Sequence, residues 1–239
     1  MENAETLWNG VTMIQPVGGF RLGTDSVLLA QFLSLPKRAR IADLGSGCGT
    51  LGLLLCASDP DCTVTGVEID EGAHRLALEN IARNGLEGRL SSVLGDARDI
   101  RAIFPAGSFS CVISNPPYFA AGSGKVSAGN AAARSEETLS LRELCAAAAY
   151  LLPSGGRFAL VHRPERLCDI VCAMRESRIE PKRIQFVRHS ADSPVCLVLM
   201  EGRRGGSPGL TYLPDFCEFT PDGAETETYR AAYHRGEQP

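Results

Sequence analysis

Arg40-Ile-Ala-Asp-Leu44, running into Gly45-Ser-Gly-Cys-Gly49 and then Thr50-Leu-Gly-Leu-Leu-Leu55, reads as a short buried strand, a glycine turn and an apolar helix over about 50–58. Glycines at a strand-to-helix turn permit a tight reversal and let backbone N–H groups approach a ligand at the helix N-terminus. The GxGxG spacing, with no Gly-Lys-Ser/Thr behind it, counts against a phosphate-binding P-loop. Thr63-Val-Thr-Gly-Val-Glu68 reads as a second strand, ending 19 residues after Gly49 in a carboxylate able to accept both hydroxyls of a ribose. A helix from Asp70 presents Ala73, Leu76, Ala77 and Ile81 on one face. Ser91–Leu94 is a third strand, with Asp96 just beyond it, placed to accept from an adenine amino group. Asp43, Glu68 and Asp96 thus stand at three successive strand ends beside the glycine turn.

The fourth strand, Phe109–Ser114, runs into Asn115-Pro116-Pro117-Tyr118. Neither proline has the N–H that a ladder needs, so the strand stops in a rigid turn. It stops at the carboxyl end, where open α/β sheets bind their ligands. The turn aims an amide oxygen, a backbone carbonyl and an aromatic ring into one crevice, a set suited to a flat ring with an exocyclic amino group.

The flanks complete the architecture. Residues 1–20 hold two glycine turns, Asn9-Gly10 and Gly18-Gly19, around a short apolar stretch, as in a small hairpin or arm. Thr24–Leu33 reads as a helix with Thr24 or Asp25 as N-cap. Residues 119–135 are rich in Gly, Ala and Ser and read as a loop. Ser140-Leu-Arg-Glu143 is a capping box, and Leu141, Leu144, Cys145, Ala148 and Leu152 continue at helical period. A strand at about 157–162 and a helix opened by Pro164 follow. Strands at about 183–188 and 195–201 are joined by a link too short for a crossover, hence antiparallel. Strand–helix alternation implies a parallel sheet with helices on both faces. With the antiparallel closing strand, the order resembles the α/β pattern of the class I, Rossmann-like methyltransferases, and that resemblance implies a seven-stranded, mostly parallel sheet. One domain over 1–239 is expected, with an N-terminal arm (1–23) and a C-terminal extension (205–239).

A chain of 239 residues, 44% hydrophobic and 22% charged, can bury a full core. The net charge of −4 conceals an uneven spread. Residues 157–204 hold 10 Lys+Arg against 6 Asp+Glu, and residues 205–239 hold 2 against 6. The basic block could face phosphates. The nine cysteines include no CxxC pair, so no metal site is expected, and scattered thiols suit a reducing cytoplasm. The acidic start, Met1-Glu-Asn-Ala-Glu5, is unlike a secretory signal. No apolar run approaches the roughly 20 residues of a membrane span.

The wording of these segments resembles the S-adenosylmethionine-dependent methyltransferases over Asp43–Gly49, Val67–Asp70, Gly95-Asp96-Ala97 and Asn115–Tyr118. The resemblance implies S-adenosylmethionine as cofactor, lined by Asp43, Gly45, Gly47, Gly49, Glu68, Asp96 and Ala97. It also suggests a role for the proline turn. A conjugated amino group is a poor nucleophile because its lone pair is delocalised. If the Asn115 side-chain oxygen and the Pro116 carbonyl each accept one of its N–H bonds, the lone pair is freed and aimed at a sulfonium methyl. This is catalysis by positioning and electrostatics. Pro117 stiffens the turn and Tyr118 would stack on the target ring. Such motifs serve adenine-N6, cytosine-N4 and glutamine-N5 methylation alike.

Gly23–Ala30, Arg134–Leu141, His162–Arg166 and Glu180–Arg183 resemble, more narrowly, the bacterial tRNA adenine-N6 methyltransferases that modify an adenosine beside the anticodon of a valine tRNA. That resemblance places Thr24 and Asp25 near the methionine end of the cofactor and Arg134 at the target pocket. Arg163, Arg166 and Lys182 become candidate RNA contacts. It implies a cytoplasmic enzyme acting on tRNA, with no membrane partner, as a monomer or homodimer. The chain departs from the family in its pI of about 5.6 and in its acidic tail. The alternatives are a protein glutamine-N5 methyltransferase of the release-factor type, a small-molecule N-methyltransferase, and a binding module with a vestigial site.

Overall fold

The computed structural model describes residues 3–6, 10–15, 22–116 and 139–233. A central sheet runs β10-β8-β9-β7-β6-β3-β4-β5, with β11 also pairing with β8. Its parallel core comprises β3 (Arg40–Leu44), β4 (Thr63–Glu68), β5 (Leu90–Leu94), β6 (Cys111–Ser114) and β7 (Arg157–His162). β9 (Val195–Arg204) inserts antiparallel between β7 and β8 (Ile179–Arg188). Seven strands therefore build the expected mostly parallel sheet. Two-residue strands β10 (Thr211–Tyr212) and β11 (Phe216–Cys217) extend its edge to nine.

Two buried clusters, one on each face, sandwich the sheet. α2 (Thr50–Ser58) is apolar around nearly its whole circumference because it is buried between the sheet and α1 (Thr24–Phe32). α5 (Leu141–Leu151) and α6 (Leu167–Glu176) cover the other face. The expected capping box closes α5, with Glu143 N–H donating to Ser140 Oγ and Ser140 N–H to a Glu143 carboxylate oxygen. Asp70 caps α3 (Glu71–Arg83) by accepting from Ala73 N–H at 2.7 Å.

Three boundaries differ from the sequence reading. The N-cap of α1 is Gly23, not Thr24 or Asp25. The Asp25 carboxylate curls back over Gly23, where an added Cβ would sit 2.4 Å from Oδ1, and it accepts from Ser26 N–H at 2.7 Å. β6 begins at Cys111 rather than Phe109, whose N–H donates to Leu151 O at 3.1 Å instead of to a neighbouring strand. β8 begins at Ile179, well before 183, since Glu180 and Pro181 already pair with β9.

The N-terminal arm is a hairpin of β1 (Asn3–Thr6) and β2 (Thr12–Gln15). Two asparagines fasten it to α3. Asn80, fully buried, accepts from Ile14 N–H at 2.7 Å and donates to the carbonyls of Ile14 and Cys48, both at 3.0 Å. Asn84 pairs in the same way with both backbone groups of Thr12. These side chains thus serve the open edge of β2 as a neighbouring strand would. The C-terminal segment returns through α7 (Glu227–Ala232), whose last carbonyl accepts from Gln31 of α1 at 2.5 Å.

Replacing Asn80 by Ala leaves buried backbone groups of Ile14 and Cys48 unpaired. Urea denaturation should show a loss of about 3 kcal/mol; a loss below about 1 kcal/mol would contradict this account of the arm.

Candidate active site

The candidate site lies at the carboxyl ends of β3, β4 and β6. Strand order reverses between β3 and β6, which makes this the switch point where open α/β sheets leave a crevice. Ser114, at the end of β6, donates from its hydroxyl to Leu44 O at 2.7 Å and ties the two strand ends together. Asn115 therefore leaves the sheet directly beside the glycine turn.

Gly45 and Gly47 have φ of +75° and +55°, the left-handed region that disfavours any side chain. Their N–H groups, with that of Ser46, are not aimed at a ligand. Gly45 and Ser46 donate to Val67 O at 2.9 and 3.1 Å, and Gly47 donates to Glu68 Oε2 at 2.7 Å. This corrects the expectation of a backbone cradle. The end of β4 consumes the donors, and the turn offers a ligand its open, Cβ-free surface instead. Glu68 is nearly buried, and its other oxygen accepts from Asp70 N–H at 2.8 Å. One carboxylate thus fixes both the turn and the start of α3 while keeping further acceptor capacity.

Asp43 is 1% exposed, and neither carboxylate oxygen has a hydrogen-bond partner among the described residues. Burial, with the nearby Glu68 charge second, pushes its carboxyl up to about 8. The hydroxyl of Ser46 is also unpartnered. Gly66 leaves room for it, since a Cβ there would meet it at 2.5 Å. A carboxyl group buried without a donor is costly unless a ligand supplies one, so this corner fits a group carrying N–H donors or positive charge.

The Asn115 amide donates from Nδ2 to Ser26 Oγ at 3.0 Å, and Ser26 is buried on α1. Ser26 holds the donor end of the amide, and the acceptor of an amide is its oxygen, the end that a substrate N–H would meet. Pro116 is buried beside it. Pro117, Tyr118, Arg134 and the 119–135 loop lie outside the described residues. Thr24 and Asp25 open the same helix as Ser26. Thr24 Oγ1 accepts from the Tyr233 hydroxyl at 3.1 Å, and burial pushes that phenol up to about 12.

Asp96 has a partner that its sequence reading did not include. Its carboxylate caps Arg98 N–H at 2.8 Å and grips the same guanidinium, which holds the carboxyl below the usual range. Ala97 follows it, buried. Ile69, directly after Glu68, is 49% exposed and was missed. A large apolar side chain left in solvent at a strand end is a signal that only burial reveals. Ser26 was missed as well, because its partner is 89 residues away.

The three basic candidates do not form one patch. Arg163 follows β7 at the crevice end and donates to Cys196 O at 3.3 Å, and Arg166 pairs with Asp169 at 2.6 Å. Lys182 lies between Pro181 and Arg183, which pair with Gly202 and Glu201 on β9, so it is roughly 20 Å along that strand from Cys196. Among the described residues no group of three His, Cys, Asp or Glu side chains could hold a metal ion. No described helix is long and apolar enough to cross a membrane.

A family model described as the methyltransferase small domain matches residues 19–176. A protein of Dickeya chrysanthemi (strain Ech1591) named tRNA1(Val) (adenine(37)-N6)-methyltransferase is 34% identical over 191 residues, covering 78% of this chain and 74% of the relative. A protein of the same name from Aeromonas salmonicida (strain A449) is 33% identical over 153 residues, and the match spans only 63% of that relative's length. Among solved structures, "a predicted O-methyltransferase" from Agrobacterium tumefaciens superposes with a TM-score of 0.74 at 22% identity, over 90% of this chain and 98% of the other. A geranyl diphosphate methyltransferase in complex with SAM gives 0.56 at 15%, over 75% and 84%. At such identities these two structures establish the fold alone.

The raised carboxyl of Asp43 has a consequence for stability. Between the unfolded value near 3.8 and the folded value near 8, the folded chain holds a proton that the unfolded chain has lost, so stability falls as pH rises through that window. Asp43→Asn should therefore raise the melting midpoint, by more at pH 8.5 than at pH 5. An equal change at both pH values would refute the buried, raised carboxyl.

Proposed function

This chain belongs to the methyltransferase small domain family, and from that premise we propose that it transfers a methyl group from S-adenosylmethionine to N6 of an adenine in tRNA, in the cytoplasm. The observation that carries the chemistry is the anchored amide of Asn115, held by Ser26 at 3.0 Å at the end of β6. The choice of tRNA is supported by the names of the relatives and by the basic side chains outside the crevice.

When bound, the cofactor supplies an electrophilic methyl group; binding and orientation fall to the chain. Asp43, buried without a donor, would take the positively charged amino end, and pairing would return its carboxyl to the ionised form. Thr24 and Asp25 would border the same end. Glu68 has acceptor capacity left for the ribose hydroxyls. The exposed face of Ile69 and the backbone around Ala97 would hold the adenine ring. Asp96 would reach its amino group with the lone pairs that Arg98 leaves open. Gly45, Gly47 and Gly49 keep the turn free of side chains over the ligand.

Asn115 Oδ1 and the Pro116 carbonyl would accept the two N–H bonds of the target amino group. Holding both N–H bonds turns the lone pair out of conjugation and toward the methyl donor, which favours the transition state over the flat ground state. Tyr118 would stack on the target base, and Pro117 would hold it at the turn. Arg134, Arg163 and Arg166 would border the RNA. The same grip suits a protein glutamine, the second reading, but no side chain described here favours it.

Asn115→Ala should lower kcat on transcribed tRNA by at least about 100-fold, with cofactor affinity by calorimetry nearly unchanged. Ser26→Ala should lower kcat by about 10-fold through loss of orientation, and Ser26→Thr should restore most of it. Near-normal turnover in Asn115→Ala would sink the proposal.

A further inference from the structure

The amino-terminal ends of the strands, opposite the crevice, carry a second concentration of charge. A pocket of about 280 Å³ there is lined by Ser34, Arg157, Lys182, Arg183, Glu201 and Arg203. Four cationic side chains share it with a single carboxylate.

Two features show that this crowding is built into the sheet. Arg157 on β7 stands in register with Arg203 on β9, and like charges facing each other across strands are destabilising. Register also slips between Pro181 and Arg183, where Gly202 is followed directly by Glu201 on the partner strand. Successive residues of a regular strand point to opposite faces. The irregularity leaves Lys182 as an extra residue, so Lys182 and Arg183 both line the pocket, which an unbroken strand would not permit.

Three of the four cations are held in place by neighbouring groups, and only Arg183 meets a carboxylate among the described residues. Arg183 donates to Phe32 O at 3.0 Å, to the Ser34 hydroxyl and to Glu201 Oε2 at 3.1 Å, with its guanidinium 4.7 Å from the centre of the Phe32 ring. Arg157 is anchored by the Ser34 carbonyl, and Lys182 by the carbonyls of Ser207 and Gly209. Glu201 is occupied twice, by Arg183 and by Ser34 N–H at 2.8 Å. Glu180, the register partner of Arg203, is drawn to Arg175 at 3.2 Å. Arg203 is exposed, and its side chain has no ion-pair or hydrogen-bond partner among the described residues.

Fixed arginine forks and an ammonium group around one small pocket match a tetrahedral oxyanion with several acceptor oxygens. We propose that this pocket binds a phosphate group, either a backbone phosphate of the RNA substrate or the phosphate of a free small molecule. The six-residue strand β7 runs from Arg157 in this pocket to His162 at the crevice end, about 17 Å away, so it is a site of its own. Only the RNA source rests on the tRNA reading above.

The test uses the full chain and the double variant Lys182→Ala/Arg203→Ala, with Lys182→Ala/Arg203→Lys as the charge-restoring control at position 203. Inorganic phosphate is titrated by calorimetry at constant ionic strength, and labelled tRNA binding is followed against salt. The wild type should bind phosphate saturably, the double variant at least about 10-fold more weakly, and the control in between. If the double variant also lowers the salt slope of tRNA binding by one to two and phosphate competes with tRNA, the source is the RNA backbone. If phosphate binding falls while tRNA binding does not, the source is a free phosphorylated molecule. Phosphate and tRNA curves that are both indifferent to the double variant would overturn the site. Failure of tRNA methylation alone would not, because the phosphate titration does not depend on it.

Discussion

The Glu68 carboxylate is the contact on which the carboxyl edge of the sheet depends. One oxygen holds the glycine turn at Gly47 and the other holds the start of α3 at Asp70. Val67, next to it, receives the N–H groups of Gly45 and Ser46. The turn after β3 is therefore shaped by the end of β4, and the helix after β4 by the same side chain. The residue proposed to take the ribose hydroxyls thus also holds together the turn and the helix beside it. Its backbone contacts fix the carboxylate before any ligand arrives, so less orientational freedom remains to be lost on binding.

A second set of contacts converges on the crevice from both ends of the chain. The arm reaches α3 and the glycine turn through Asn80, whose amide touches both Ile14 and Cys48. The C-terminal segment reaches α1 through Gln31 and through the Tyr233–Thr24 hydrogen bond. α1 in turn carries Ser26, which orients Asn115. The amide at the centre of the proposed chemistry is thus braced by a helix that the distant C-terminal segment packs against. The acidic stretch of residues 205–239 accordingly includes, within its described part up to Tyr233, contacts with a structural task.

Much of the core was legible because it rests on local rules. β3 and β4 match their expected bounds of Arg40–Leu44 and Thr63–Glu68. Apolar runs bounded by charge and glycine leave little choice for buried parallel strands. The capping box at Ser140 and Glu143 was readable for the same reason, as it closes within four residues. What escaped depends on partners far along the chain. Asn80 looks like one more polar helix residue until Ile14 is brought beside it from 66 positions away. Arg157 opens a strand without chemical signal, and only the register with Arg203 makes it half of a charged pair. Gly23 stands at the N-cap, and the Asp25 carboxylate occupies the space that a side chain there would need, a contact the sequence does not announce. The glycine turn was placed correctly but its N–H groups were assigned the wrong acceptor, since only the fold reveals that β4 claims them.

The central claim is that the grip at Asn115 serves an adenine amino group of tRNA. The measurement that meets it most directly is nucleoside mass spectrometry of unmodified bulk tRNA after incubation with the protein and S-adenosylmethionine. The account predicts a new N6-methyladenosine peak that depends on both protein and cofactor. Absence of that peak from a preparation that binds S-adenosylmethionine would contradict it and move the target to a protein glutamine or a small amine.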